Sequence, residues 1–106
     1  MNGSETMTNT PTGRLPVLVN MESGEKHTLD NPNVTIGRSP DCGLVLSDDD
    51  YASGEHARIY FDQGRWWLED TMSSNGTSVN GQMINSVYQL MPNDVLKFGR
   101  TTFRIE

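Results

Sequence analysis

From residue 15 onward, short apolar or alternating runs are broken by Gly, Asn, Asp and Pro at intervals of roughly eight to twelve residues, as in sandwiches and barrels. No stretch keeps a helical period for long. The pattern predicts strands over 15–21, 26–29, 33–36, 43–46, 56–61, 65–69, 78–79, 82–83, 87–90, 95–98 and 102–105. Turn chemistry separates them at Ser23-Gly24, Asn31-Pro32, Asp62-Gln63-Gly64, Asn80-Gly81 and Pro92-Asn93-Asp94. Asn80-Gly81 is the sharpest hairpin signal, because both central positions of a type I′ turn need positive φ.

Alternation puts Ala57, Ile59 and Phe61 on one face of their strand and Arg58 and Tyr60 on the other. Trp66 and Leu68 share a side, so one indole of Trp66-Trp67 belongs to the core and the other is partly exposed. Together with Val34, Ile36, Val45, Val79, Leu90, Val95, Phe98, Phe103 and Ile105, these residues predict a two-layer, all-β core. Burying one large side chain contributes about 1.5–3 kcal/mol, so such a set offsets the ordering entropy of a small domain without a metal or disulfide.

At 106 residues the chain has room for one buried core and hence one principal site. Its formal net charge of −6 argues against nucleic-acid and membrane-surface binding, both of which reward surplus Lys and Arg. The single cysteine, Cys42, rules out an intrachain disulfide and fits a reducing compartment. No apolar run approaches the ~20 residues of a membrane span, and the first residues lack a secretory pattern, so the expected location is the cytoplasm. Residues 1–13 carry Thr6, Thr8, Thr10 and Thr12, with Met1 and Met7 as their only apolar side chains. They are expected to form a flexible tail ahead of a domain at 14–106.

Candidate chemistry concentrates between the strands. Gly37-Arg38, Ser53-Gly54-Glu55-His56 and Ser73-Ser74-Asn75-Gly76-Thr77 supply a guanidinium, several hydroxyls and a carboxamide on predicted loops. Such donors suit a phosphate, held locally by oriented hydrogen bonds despite the acidic chain. Asp48-Asp49-Asp50 reads as a solvated loop, since a calcium loop would need a ligand at Ala52 and a glycine at Ser53. His27, Cys42 and His56 lack zinc spacing, and no metal or cofactor is implied. Ser53, His56 and Asp70 are the residue types of a hydrolase triad, but without a nucleophile-elbow motif, and no enzyme is expected.

In order and spacing, Ile36-Gly37-Arg38, Ser53-x-x-His56 and Asp70-x-x-Ser73-Ser74-Asn75-Gly76-Thr77-Ser78-Val79-Asn80-Gly81 resemble the forkhead-associated (FHA) domains, modules that bind phosphothreonine peptides. The resemblance covers about residue 15 to the end, and small bacterial adaptors in Ser/Thr kinase pathways look most similar. It implies an eleven-stranded β-sandwich with recognition loops at one end. Arg38, Ser53 and Ser74 would hold the phosphate, the Ser53 amide joining its hydroxyl, while Asn75 would grip the peptide backbone. Gly37, His56 and Gly76 are implied as architecture, with glycine letting the backbone turn beside Arg38 and the imidazole bracing the Ser53 loop.

A phosphothreonine carries about −1.5 to −2 charges and three acceptor oxygens, so a forked cation and short donors are the right chemistry. The chain departs from the family at Gly54, often Arg or Asn, which would remove a rim side chain and loosen the loop. Tyr51 stands where some members read the third residue after the phosphothreonine, which leaves selectivity at this rim open. Expected partners are phosphothreonine-containing proteins, such as a Ser/Thr kinase or its substrates, with no nucleic acid or membrane. Thr6 and Thr8 are candidate phosphorylation sites, because some relatives are switched by a phosphorylated tail that folds back. Gly54 and the acidic run also motivate a rival reading, a phospho-independent scaffold with a vestigial pocket.

Overall fold

The structure, a computed structural model, describes residues 14–106; the candidate phosphorylation sites Thr6 and Thr8 lie outside them. The strands are β1 (Val17–Asn20), β2 (Lys26–Thr28), β3 (Asn33–Gly37), β4 (Leu44–Val45), β5 (Ala57–Asp62) and β6 (Arg65–Asp70). They continue with β7 (Thr77–Val79), β8 (Gln82–Met83), β9 (Tyr88–Gln89), β10 (Val95–Phe98) and β11 (Thr101–Ile105). One sheet runs β2-β1-β11-β10-β7-β8 and the other β4-β3-β5-β6-β9, giving the all-β sandwich that the alternation predicts. Pairing is antiparallel except between β3 and β4.

Alternation decides which residues fill the space between the layers. Ala57 and Ile59 of β5, Leu68 of β6 and Ile36 of β3 meet Leu18, Leu96, Phe98 and Phe103 of the other sheet, all buried. Trp66 packs against this core and lies 5.2 Å from the Phe61 ring, whereas the Trp67 indole donates to the Asp62 carbonyl. Two core expectations fail, one on register and one on alternation. Val45 is 41% exposed and its neighbours Leu44 and Leu46 are buried, because the parallel pairing Ile36↔Leu44 turns Leu44 inward. In β10 the buried pair is Leu96 and Phe98, with Val95 only partly covered, since residues 95 and 98 cannot share a face of one strand.

The Asn80-Gly81 hairpin joins β7 to β8 with both residues at positive φ (52° and 85°), as a two-residue type I′ turn requires. Register also fixes where the functional loops emerge. Ile36 of β3 is opposite Ala57 of β5, and Ala57 is opposite Asp70 of β6; in the other sheet Phe98 of β10 pairs with both Thr77 of β7 and Thr101 of β11. Hydrogen bonds from His56 to the Gly76 carbonyl and from Arg100 and Thr101 to Asp49 link these two sets of ends. The loops β3–β4, β4–β5 and β6–β7 and the β10–β11 turn therefore gather at one end of the sandwich.

Candidate functional site

Arg38 follows the last residue of β3, and its amide donates to the Ser53 carbonyl (2.9 Å) while the Ser39 amide donates to the Gly54 carbonyl (3.1 Å). These rungs hold the Arg38 turn flat against the loop that carries Ser53. Gly37 makes the approach feasible: a Cβ there would lie 2.2 Å from the Gly54 carbonyl oxygen. Its φ is not left-handed, so the need for glycine comes from this close crossing rather than from a turn at Arg38. Gly54 is different, with open space where a side chain would stand. Its carbonyl accepts from the Ser39 amide and the Cys42 thiol (3.2 Å), so the loop is fastened rather than loosened.

His56 is fully buried between the sheets and stands edge-on to Phe98. The Ser53 amide donates to Nδ1 (3.0 Å), which places the ring proton on Nε2, and Nε2 donates to the Gly76 carbonyl (2.9 Å). One ring thus ties the Ser53 loop to the Asn75-Gly76 loop. The Ser53 amide is consequently committed to the imidazole, and only the hydroxyl faces outward as a donor. That hydroxyl oxygen already accepts from the Ser74 amide (2.9 Å), which orients its proton away from Ser74. The exposed Asn75 donates through Nδ2 to the Tyr51 carbonyl (2.8 Å), which orients its carboxamide.

The β6–β7 loop is built on Asp70. Its carboxylate accepts from the Ser73 amide (2.9 Å), the Ser73 hydroxyl (2.5 Å) and the buried Thr77 hydroxyl (2.6 Å), and the Ser73 oxygen accepts from the Gly76 amide (2.9 Å). Burial alone would raise the Asp70 carboxyl, but the Ser73 and Thr77 hydroxyls and the Ser73 amide outweigh it and hold it below the usual carboxylate range. Gly76 has φ +84°, so its conformation favours glycine; the Met83 thioether that would lie 2.7 Å from a Cβ is the tip of an exposed side chain and can move aside. Ser53, His56 and Asp70 meet without the bonding order of a hydrolase triad: the ring holds two backbone groups and the carboxylate holds Ser73 and Thr77.

A fourth segment, the β10–β11 turn, joins through Asp49. Far from being solvated with Asp48 and Asp50, Asp49 is 8% exposed and accepts from the Tyr51 amide (3.0 Å), the Arg100 amide (2.8 Å) and the Thr101 hydroxyl (2.5 Å). Burial pushes its carboxyl up, and these donors with the Ala52 amide more than reverse the shift. Gly99 fits because a Cβ would come 2.7 Å from the Ala52 amide nitrogen. The Arg100 guanidinium stacks 3.9 Å over the Tyr51 ring, so this cation, unnoticed in the sequence, stands beside Asn75's anchor. Behind the loops Cys42 is buried, and desolvation first, then the nearby Glu55 and Asp41 charges, raise its thiol.

Arg38 is exposed, and its guanidinium has no ion pair or hydrogen bond among the described residues. The loops therefore assemble an unneutralised cation, the Ser53 and Ser74 hydroxyls and an oriented carboxamide at one tip. This defines a β-sandwich whose candidate phosphate donors stand on loops at one end. The family model for the FHA domain matches residues 34–99, and the chain belongs to that family.

FhaB of Mycolicibacterium smegmatis is 35% identical over 83 residues, covering 78% of this chain and 53% of FhaB. The chain thus spans about half the length of that relative. A chain solved in a structural and functional study of phosphothreonine-dependent FHA domain interactions superposes with a TM-score of 0.81 at 29% identity, covering 88% of this chain and 96% of the other. Mycobacterium tuberculosis EmbR, solved with a low-affinity phosphopeptide, gives a TM-score of 0.85 at 25% identity, covering 97% and 28%. Among the described residues no helix is long and apolar enough to cross a membrane.

Proposed function

We propose that this module is a cytoplasmic, phosphothreonine-dependent adaptor that recruits phosphorylated proteins in a Ser/Thr kinase pathway. Arg38 and the hydroxyls of Ser53 and Ser74 hold the phosphate, and Asn75 grips the peptide backbone. Gly37, His56 and Gly76 shape the loops, while Tyr51 and Gly54 form the rim. No catalytic step is part of this reading, and the folded module is taken as 14–106.

The observation that carries the proposal is the junction of loops: His56 joins Ser53 to Gly76, and Ser53 joins Ser74, on the loop that also holds the Arg38 turn, whose guanidinium has no partner among the described residues. A dianionic ester has three acceptor oxygens for such donors, whereas a neutral side chain would leave the guanidinium unmatched. The solved relatives named for phosphothreonine-dependent interactions and phosphopeptide complexes support the same ligand class.

The test is calorimetric titration with a peptide selected from a phosphothreonine library, beside its unphosphorylated twin. Micromolar affinity, about −8 kcal/mol, is expected for the first and none for the second. Arg38→Ala is expected to weaken binding by about a hundredfold or more with an unchanged circular dichroism spectrum. Equal retention of both peptides would instead support the phospho-independent scaffold.

A further inference from the structure

At the pole away from the loops, a groove of about 420 Å³ opens where the residues leading into β1 meet the end of β11. The buried Leu90 and Ile105 and the half-buried Trp66 line it from below. Leu15 and the exposed pair Met91-Pro92 form its sides, with Met91 51% exposed. Arg14 and Glu106 are the charged residues on it.

Backbone bonds tie each part of the groove to the next. The Leu90 amide donates to the Trp66 carbonyl (2.9 Å), the Asn93 amide to the Ile105 carbonyl (2.9 Å) and the Val17 amide to the Glu106 carbonyl (3.2 Å). The recess is therefore pre-formed, and its volume falls in the range of about 300–1,000 Å³ typical of ligand clefts. Little ordering cost falls on this side of a contact made there.

Charge around the mouth selects the occupant. The Glu106 carboxylate is shared by Lys26 (3.2 Å) and Arg104 (3.3 Å), so two cations meet one anion. Arg14 is exposed, and its side chain has no ion pair or hydrogen bond among the described residues. Asp94, behind Met91, is buried, and its carboxylate is taken up by the Met91 amide (2.8 Å) and the Asn80 carboxamide (3.0 Å). The mouth is thus locally cationic on a chain of formal net charge −6. A concave apolar recess with such a rim matches a protruding apolar side chain carried between carboxylates. A bilayer surface offers no protruding side chain and would leave the recess unfilled.

We propose that this groove is a second docking surface, which takes an acidic linear segment of a partner protein through one bulky apolar side chain. β6 runs from Trp66 at the groove to Asp70 under the loops, and β11 runs back from Thr101 to Ile105. At about 3.3 Å per residue each strand sets the two ends roughly 13 Å apart. Groove and loop end can therefore be occupied together, and the groove does not depend on the phosphothreonine reading.

The test titrates the full chain with unphosphorylated peptides that carry leucine or phenylalanine flanked by aspartate, serine or lysine. Aspartate-flanked peptides are expected to bind about fivefold or more tightly than serine-flanked ones, with the advantage lost at high salt, and lysine-flanked ones to fail. Amide chemical-shift changes are expected at 14–17, 90–92 and 104–106, away from Arg38 and Asn75. Met91→Asp and Arg14→Glu alter exposed side chains, so their circular dichroism spectra are expected to match the parent. The first should weaken aspartate-flanked binding by about tenfold or more, and the second should erase the preference for aspartate over serine. Absence of binding by every aspartate-flanked peptide, shifts confined to the loop end, or affinities indifferent to both variants overturns the proposal. So does a dimer in sedimentation that Met91→Asp dissolves, which would assign the groove to a second copy. Peptide binding that emerges only in Met7→Asp would hand it to the chain's own first residues, and capture by phosphatidylglycerol vesicles that Met91→Asp abolishes would hand it to a membrane; either result also overturns it.

Discussion

Asp49 binds backbone amides and the Thr101 hydroxyl across the loop end, Asp70 binds an amide and two hydroxyls within the β6–β7 loop, and both carboxyls are held below their ordinary range against the opposing pull of burial. A depressed folded pKa means that the unfolded chain takes up protons more readily. The stabilisation is therefore complete above the unfolded value of about 3.9 and disappears as pH falls through the lower folded values. Urea midpoints are expected to drop steeply below about pH 4. Asp49→Asn should be less stable at neutral pH yet lose less on acidification; an equally steep drop in the variant would separate Asp49 from the acid response. The sequence hid this residue inside an acidic run, because its partners Arg100 and Thr101 are about fifty positions away and only folding brings them together.

Strands and turns were largely legible, because period-2 patterning and turn residues are local signals. The eleven predicted runs correspond to the eleven strands, and Asn80-Gly81 has the dihedrals its type demands. The misplaced Val45 shows where local signals end: in a two-residue strand with apolar residues on both sides, the partner's register decides which side chain turns inward, whereas Val95 is already set apart from Phe98 by the alternation itself. At the site, the residue types were visible but their bonding was not. His56 spends Nδ1 on the Ser53 amide, and the Gly37 requirement arises from a loop 17 positions later in the chain.

That crossing gives a paired prediction at the level of the loops. Gly37→Ala is expected to cost about 1–3 kcal/mol through forced separation of the Arg38 and Gly54 backbones, and to weaken phosphopeptide binding beyond what stability explains. Gly54→Asn places its side chain in open space and should stay within about 0.5 kcal/mol of the parent. Denaturant titration of both variants checks the contrast. A neutral Gly37→Ala would mean that the loops separate without consequence.

Across the whole molecule the acidic balance opposes the ligand proposed for the tip. A domain of about a hundred residues has a radius near 13 Å, and a net charge of −6 at that distance repels a dianion by on the order of 3–4 kcal/mol in salt-free water. The Debye length shrinks from about 30 Å at 0.01 M to about 8 Å at 0.15 M, which removes most of this long-range term. The contact proposed for Arg38 would act at hydrogen-bond range, where it is screened far less. Stopped-flow association with a phosphothreonine peptide of otherwise neutral residues is therefore expected to accelerate, by about tenfold over that salt range, opposite to the behaviour of a basic phosphate-binding surface. The dissociation rate should change much less, because it reports the short-range donors. A peptide flanked by lysines should reverse the trend, since it is drawn to the same field that repels the neutral one. Association of the neutral peptide that slows with added salt would show that a local basic field, not the −6 balance, governs encounter.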